Sequence, residues 1–143
     1  MQSFPDPPSP QHTILIAEDQ PLIRDLLTSF LREEGYAVVG AADGTEAIQL
    51  ISKLAPPAGP LCLGVVDMML PELDGPAVMD HLAQQGILVP IVAMSAVQAN
   101  LLAAQARGAR AALVNPFELG QLLGVISQHC LHAPSSAAPA LFF

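Results

Sequence analysis

The side chain most suited to chemistry in this sequence is Asp67, an acid that ends the apolar run Leu61–Asp67. The run is short, rich in Val and Leu, and followed by Pro71 and Gly75, which predicts a strand buried on both faces and closed by a turn. Asp67 is therefore expected at the carboxyl end of a strand. In open α/β sheets ligands bind at that edge, because its loops carry chemistry while the strands stay rigid.

Further polar residues follow other apolar segments. In chain order, the residues expected at this edge are Glu18, Asp19, Asp43, Asp67, Ser95 and Asn115. Three carboxylates in one cleft, from Glu18, Asp19 and Asp67, repel one another, which raises a pKa or recruits a cation. Mg²⁺ suits such a site because it binds few carboxylates, keeps several waters and also accepts phosphate oxygens. Asp67 would then be placed as a nucleophile toward phosphorus.

Short apolar segments alternate with amphipathic ones along the chain. The predicted strands cover residues 13–17, 36–40, 61–67, 88–93 and 110–114, and the predicted helices run from Pro21 toward Gly35, from Asp43 to Leu54, and over 76–85, 97–107 and 117–131. Five strand–helix units in succession predict a parallel sheet with helices on both faces, an α/β fold.

Length and composition limit the function classes. With 143 residues, 52% of them hydrophobic, the chain can form one domain with a single core. We assign this domain to residues 12–132, after a Pro-rich flexible leader (1–11) and before a short tail (133–143). The net charge of −8 argues against direct binding of nucleic acid.

The two cysteines, Cys62 and Cys130, lie in apolar contexts without metal-ligand spacing. We interpret them as buried free thiols, which fits a reducing cytosol. No signal-like segment opens the chain and no apolar run approaches the ~20 residues of a membrane span. A soluble, cytoplasmic protein is expected.

Four motifs together resemble the receiver domain of two-component response regulators, over about residues 13–131. They are Glu18-Asp19, the segment 67–75 (DMMLPELDG), Ser95-Ala96 and Asn115-Pro116-Phe117. The resemblance implies a flavodoxin-like, doubly wound sheet of five parallel strands in the order 2-1-3-4-5, with five helices. It also implies a cis peptide bond before Pro116.

The resemblance also assigns roles to the residues at these motifs. Asp67 would be the phosphoacceptor, Glu18 and Asp19 the Mg²⁺ acids, the Met69 backbone carbonyl a third ligand, and Ser95 the hydroxyl that meets the phosphoryl group. A sensor histidine kinase or phosphotransfer protein would donate the phosphoryl group. The resemblance thus implies a signalling domain rather than an enzyme. The only reactions it would catalyse are its own Mg²⁺-dependent phosphorylation and dephosphorylation.

Two positions depart from the family pattern. Asn115 stands where the family has a lysine, and Ala112 where it has an aromatic residue. Asn donates hydrogen bonds but brings no charge and a shorter reach. Two hypotheses follow: a stand-alone receiver that signals by protein contact when Asp67 is phosphorylated, and a pseudo-receiver that acts as a phosphorylation-independent scaffold.

Two further expectations concern surfaces and a competing class. The last two helices carry few charges, so a contact through them, including a weak homodimer, would be apolar. Asp43-Gly44-Thr45 after a strand resembles half of a haloacid-dehalogenase phosphatase motif, but Ala41 stands where that family's nucleophile would be. Asp19 or Asp74 taken alone would be interpreted as a helix cap.

Overall fold

Five strands alternate with five helices along the chain in the computed structural model, which describes residues 12–130. The strands are Thr13–Ala17 (β1), Ala37–Ala41 (β2), Leu61–Asp67 (β3), Ile91–Ser95 (β4) and Ala111–Val114 (β5). The helices are Pro21–Glu33 (α1), Gly44–Leu54 (α2), Gly75–Gln84 (α3), Gln98–Ala106 (α4) and Leu119–His129 (α5). The predicted leader (1–11) and tail (133–143) lie outside the described residues.

The strands form one sheet in the order β2-β1-β3-β4-β5, and every neighbouring pair is parallel. The order and the five helices confirm the expected flavodoxin-like, doubly wound fold. Strand order reverses after β1, so the carboxyl ends of β1 and β3 lie side by side where connections leave in opposite directions. That edge is the expected ligand site.

Two apolar layers hold the sheet between the helices. Helices α2, α3 and α4 cover one face, where Ile51, Val78 and Leu101 are buried. Helices α1 and α5 cover the other face, where Leu31 and Ile126 are buried. All five residues of β1 and the first six of β3 are buried, so these strands form a rigid base for the residues that follow them.

Several element boundaries differ from the predictions by a few residues. Strand β4 begins at Ile91 rather than residue 88, because Pro90 has no N–H to donate to a ladder; its carbonyl accepts the N–H of Gly64 (2.9 Å). Helix α1 begins at Pro21 as predicted. Helix α5 begins at Leu119, after Glu118 and Gln121 have formed a reciprocal cap. None of the helices within residues 12–130 has both the length and the apolar character of a bilayer span.

The interpretation of the cysteines as free thiols is wrong. Cys62, near the start of β3, and Cys130, directly after α5, form a disulfide across a sequence separation of 68 residues. Nothing in their local sequence indicates the pairing, because it depends on α5 packing against the sheet beside the start of β3. The cytosolic inference drawn from free thiols loses that support.

Candidate functional site

Three acids meet at the carboxyl edge of the sheet. Glu18 and Asp19 follow β1, and Asp67 ends β3, the strand that pairs directly with β1. One ligand oxygen from each of the three carboxylates lies within 4.8 Å of the others. The structure thus brings together the acids that the sequence predicted to share a cleft, and this is the one such metal-competent cluster among residues 12–130.

The electrostatics of the cleft are concentrated on Glu18, which is only 3% exposed. Burial, the largest cause, and the negative charge of Asp67 together raise the pKa of its carboxyl to about 7, against an opposing hydrogen bond from the Gln20 N–H. That N–H donates to Glu18 Oε2 at 3.1 Å. The Arg24 guanidinium donates to the Glu18 backbone carbonyl (2.6 Å), which holds this turn in place. The Glu18 carboxyl is therefore partly protonated near neutral pH, and a cation that binds it would displace this proton.

The loop after Asp67 is folded back onto the end of β3. The Met69 N–H donates to Asp67 Oδ1 (2.8 Å), which fixes the rotation of the carboxylate. The Gly75 N–H donates to the Met68 carbonyl (3.1 Å), and a Cβ at Gly75 would lie 2.6 Å from the Met68 Cα, so this close approach requires glycine. Among the described residues no N–H donates to the Met69 carbonyl. That oxygen is available to a ligand.

Ser95 ends β4, the next strand outward from β3. Residue Met94 pairs with Asp67, so Ser95 lies one position beyond the level of the acid. Its side chain is 1% exposed, and its Oγ accepts the Val97 N–H (3.0 Å) and a longer contact from Asn100 Nδ2 (3.4 Å). Because these two donors occupy both acceptor positions, the hydroxyl proton is the group left to donate.

Asn115 follows β5, and its backbone N–H donates to the Ser95 carbonyl (3.0 Å). The peptide bond to Pro116 is cis, as the resemblance implied. Asn115 and Glu18 line the same cavity of about 480 Å³, whose other walls include Phe117 and residues of α1. Asn115 therefore lies in one cavity with Glu18, one of the three acids, and brings an uncharged side chain to it.

Two other acids near this edge are helix caps. Asp43 Oδ1 accepts the Glu46 N–H (2.7 Å) at the start of α2, and Asp74 Oδ1 accepts the Ala77 N–H (3.0 Å) at the start of α3. Asp43, predicted at the same rim, is thus engaged as a helix cap, and the cap alternative is correct for Asp74.

Sequence reasoning missed Asn100 and Arg24. Asn100 contacts Ser95 and lines a second cavity of about 520 Å³ that also includes Asp19 and Met69. Its position in the first turn of a helix that starts three residues after Ser95 was the available signal. Arg24 acts on a backbone carbonyl, a contact that no sequence motif marks.

The donor set fits a hard divalent cation. Three carboxylates and one free backbone carbonyl are oxygen ligands, and the open side of the cleft leaves room for waters or phosphate oxygens. Thiol and imidazole ligands, which a transition metal would favour, do not occur in the cluster.

Comparison with known proteins agrees with this geometry. The model of the response regulator receiver domain family matches residues 14–127. The chain belongs to the response regulator receiver domain family, a family of signalling domains that bind Mg²⁺ at an acidic pocket.

Relatives support the same assignment. The transcriptional regulatory protein PdtaR of Mycobacterium tuberculosis is 40% identical over 116 residues, which cover 79% of this chain and 54% of PdtaR. The regulator SphR of Synechococcus elongatus is 38% identical over 96 residues, covering 64% of this chain and 37% of SphR. The chain thus spans about half or less of the length of these relatives.

Solved structures show the same fold. The receiver domain of NtrX from Brucella abortus superimposes with a TM-score of 0.72 at 29% identity, covering 83% of this chain and 98% of that one. The receiver domain of the Francisella response regulator 1452 gives 0.71 at 28% identity, covering 79% and 92%.

Proposed function

We propose that Asp67 accepts a phosphoryl group from a sensor histidine kinase or phosphotransfer protein in a Mg²⁺-dependent reaction, and that the modified domain signals by contact with another protein. The observation that carries this proposal is the convergence of Glu18, Asp19 and Asp67 within 4.8 Å at the end of the central strand. The buried hydroxyl of Ser95 lies on the adjacent strand.

The residues of the cleft have separate tasks in this reaction. Glu18, Asp19, Asp67 and the Met69 carbonyl would hold Mg²⁺, which neutralises phosphate oxygens as charge develops on them. An oxygen of Asp67 attacks phosphorus while the donor nitrogen leaves with the bonding electron pair. The carboxylate is already oriented by the Met69 N–H.

Ser95 and Asn115 receive the transferred group. The free hydroxyl proton of Ser95 would donate to one phosphoryl oxygen, since its acceptor positions are filled by Val97 and Asn100. Asn115 would donate from its amide across the cavity that it shares with Glu18. A neutral amide binds a phosphoryl oxygen less strongly than an ammonium does, so product stabilisation is weaker than with a lysine.

An apolar surface beside the cleft would receive the donor protein. Helix α1 exposes Leu22, Ile23 and Leu26 by 84%, 39% and 56%, and the last two line the cavity that ends at Glu18 and Asn115. Exposed apolar side chains of this size around an acidic cleft suit a helical partner whose histidine must reach Asp67. The cytoplasmic location of the protein belongs to the same proposal, because the kinase needs ATP.

The test is phosphorylation of the purified protein by acetyl phosphate. With Mg²⁺, the protein should gain one phosphoryl group by intact mass, and beryllofluoride should bind. Asp67→Asn should abolish both, whereas Asp80→Asn, which changes an exposed acid of α3 outside the cleft, should leave both intact. A wild-type protein that stays folded, binds Mg²⁺ and takes up neither group would favour the scaffold hypothesis, which Asn115 and Ala112 motivate.

A further inference from the structure

The disulfide joins the two ends of the segment that contains Asp67, Ser95 and Asn115. Cys62 is the second residue of β3, the strand that ends at Asp67, and Cys130 follows the last residue of α5. Strand β3 runs from the bond toward the acidic cleft, and α5 runs from the cleft edge back to the bond. The covalent loop therefore encloses Ser95 and Asn115.

Helix α5 depends on tertiary anchoring. It has 11 residues, with Gly120 in its first turn and Gly124 in its middle, and a Cβ added at either glycine would meet no neighbouring residue within 4 Å. Glycines without a packing reason lower helix propensity, and a helix this short is marginal on its own. Within the described chain, Leu122 and Ile126 are its fully buried side chains. The bond at Cys130 is a third anchor, located at the end where helices fray.

We propose that Cys62 and Cys130 are a reversible thiol–disulfide site, and that their oxidation state sets how firmly α5 is held to the sheet. This inference rests on the cytoplasmic location of the proposed function: in a reducing compartment disulfides are uncommon, and those that occur are usually transient or redox-sensing. Cys62 is fully buried and Cys130 is 6% exposed, so attack depends on opening of the end of α5. Burial of both sulfurs protects the disulfide from thiols in solution until that opening occurs.

The oxidant of this site is a low-molecular-weight disulfide and its reductant a low-molecular-weight thiol. Glutathione, in its oxidised and reduced forms, is the probe for both. Oxidation removes two thiol protons and two electrons from the cysteines, forms the S–S bond and reduces glutathione disulfide to two thiols. Reduction runs in reverse: a glutathione thiolate attacks one sulfur, the other leaves as a thiolate, and a second glutathione resolves the mixed disulfide.

Reduction should loosen α5 and leave the central strands unchanged. The expected site of the change is the surface formed by α5 and the Phe117 loop, which lines the cavity beside Glu18. Strands β1 and β3 are held by ladders and by apolar layers on both faces, so they do not depend on the bond.

Differential alkylation with mass spectrometry across a series of reduced-to-oxidised glutathione ratios tests the site. The bonded fraction should change reversibly across the series. A pair that stays fully bonded at the most reducing ratio, or fully reduced at the most oxidising one, would overturn the proposal.

Hydrogen exchange tests the consequence. In the reduced protein, amides of α5 should exchange faster while those of β1 and β3 keep their protection. The melting temperature should fall by on the order of 10 °C, since the bond closes a long loop.

Cys130→Ser should reproduce the reduced wild type under oxidising conditions, and Ser127→Ala, on an exposed position of α5, serves as the control. If Cys130→Ser fails to fold, the reduced wild type supplies the same comparison; equal α5 exchange in its two states would contradict the proposal.

Discussion

The side chain at position 115 decides how much positive charge faces the three acids. Asn115→Lys is expected to tighten beryllofluoride binding by about 10–100-fold and to speed phosphorylation by acetyl phosphate. A charge-assisted hydrogen bond contributes about 1.5–3 kcal/mol net, and about 1.4 kcal/mol corresponds to tenfold in an equilibrium. Titration calorimetry and phosphoprotein electrophoresis measure the two effects.

A matched control separates position from net charge. Gln128→Lys adds the same charge at an exposed site near the far end of α5 and should change neither quantity. If Asn115→Lys leaves phosphorylation undetectable in a folded protein, the missing lysine is not the defect, and the scaffold hypothesis gains.

Glu18 makes the cleft sensitive to pH. Its pKa is raised from 4.5 to about 7, so between these values the folded state keeps a proton that the unfolded state has lost. Without metal, stability should therefore fall as pH rises from about 4.5 to about 7. Glu18→Gln should flatten that dependence in thermal melts across this range; an unchanged slope would show that another group causes it.

Mg²⁺ binding should show the opposite trend, because the ion binds the ionised form of Glu18 and displaces its proton. Affinity is expected to increase by about five- to sixfold from pH 6 to pH 7, and by at most about twofold more above pH 7. Calorimetry in buffers of different ionisation enthalpy measures the proton released. Binding that is independent of pH in this range would mean that Glu18 is not a ligand.

At the scale of elements, helix α4 and strand β5 present an apolar surface. Val97, Leu102 and Val114 are exposed by 44%, 57% and 59%, whereas Leu101 on α4 and Leu122 on α5 are buried. No acidic or basic residue lies in the first or last turn of α4. Leu101 and Leu122 thus point into the core, and Leu102 points outward from α4.

Association through this surface should be apolar. The beryllofluoride-activated protein is expected to form a weak dimer in sedimentation that persists from about 0.1 to about 1 M salt, since salt screens charges and leaves apolar contacts intact. Leu102→Glu should abolish it. Gln49→Glu, which adds the same charge on an exposed position of α2, should not. A dimer that dissociates as salt is added would contradict an apolar contact.

For the whole molecule, the acidic cleft makes stability depend on Mg²⁺. A ligand at 100 times its dissociation constant stabilises by about 2.7 kcal/mol, which for a domain of this size is a rise in melting temperature on the order of 10 °C. Asp19→Asn should remove most of that rise. Its own melting temperature without metal should be equal or higher, because one of three repelling charges is gone.

Asp25→Asn is the control for this measurement, because Asp25 is an exposed acid on α1 outside the cluster. It should keep the full Mg²⁺ response. If saturating Mg²⁺ leaves the wild-type melting temperature unchanged, the proposed metal site is wrong.

The sequence by itself determined the order of elements and the residues at the sheet edge. Parallel strands put all their carboxyl ends on one side, so an acid after β1 and an acid ending β3 must share an edge once five strand–helix units are recognised. Glu18, Asp19 and Asp67 could therefore be predicted as neighbours without coordinates, and the cis bond before Pro116 followed from the family resemblance.

Only the tertiary structure decided contacts between residues distant in sequence. The disulfide forms because the end of α5 lies beside the start of β3. The residues around Cys62 and Cys130 in the sequence predict that both cysteines are buried, but not that they pair. The Asn100 contact with Ser95 depended on where α4 begins. The pKa of Glu18 depended on how completely its neighbours exclude water. Local patterns fix which side chains face the core or an edge, whereas side-chain distances and burial arise from the packing of whole layers.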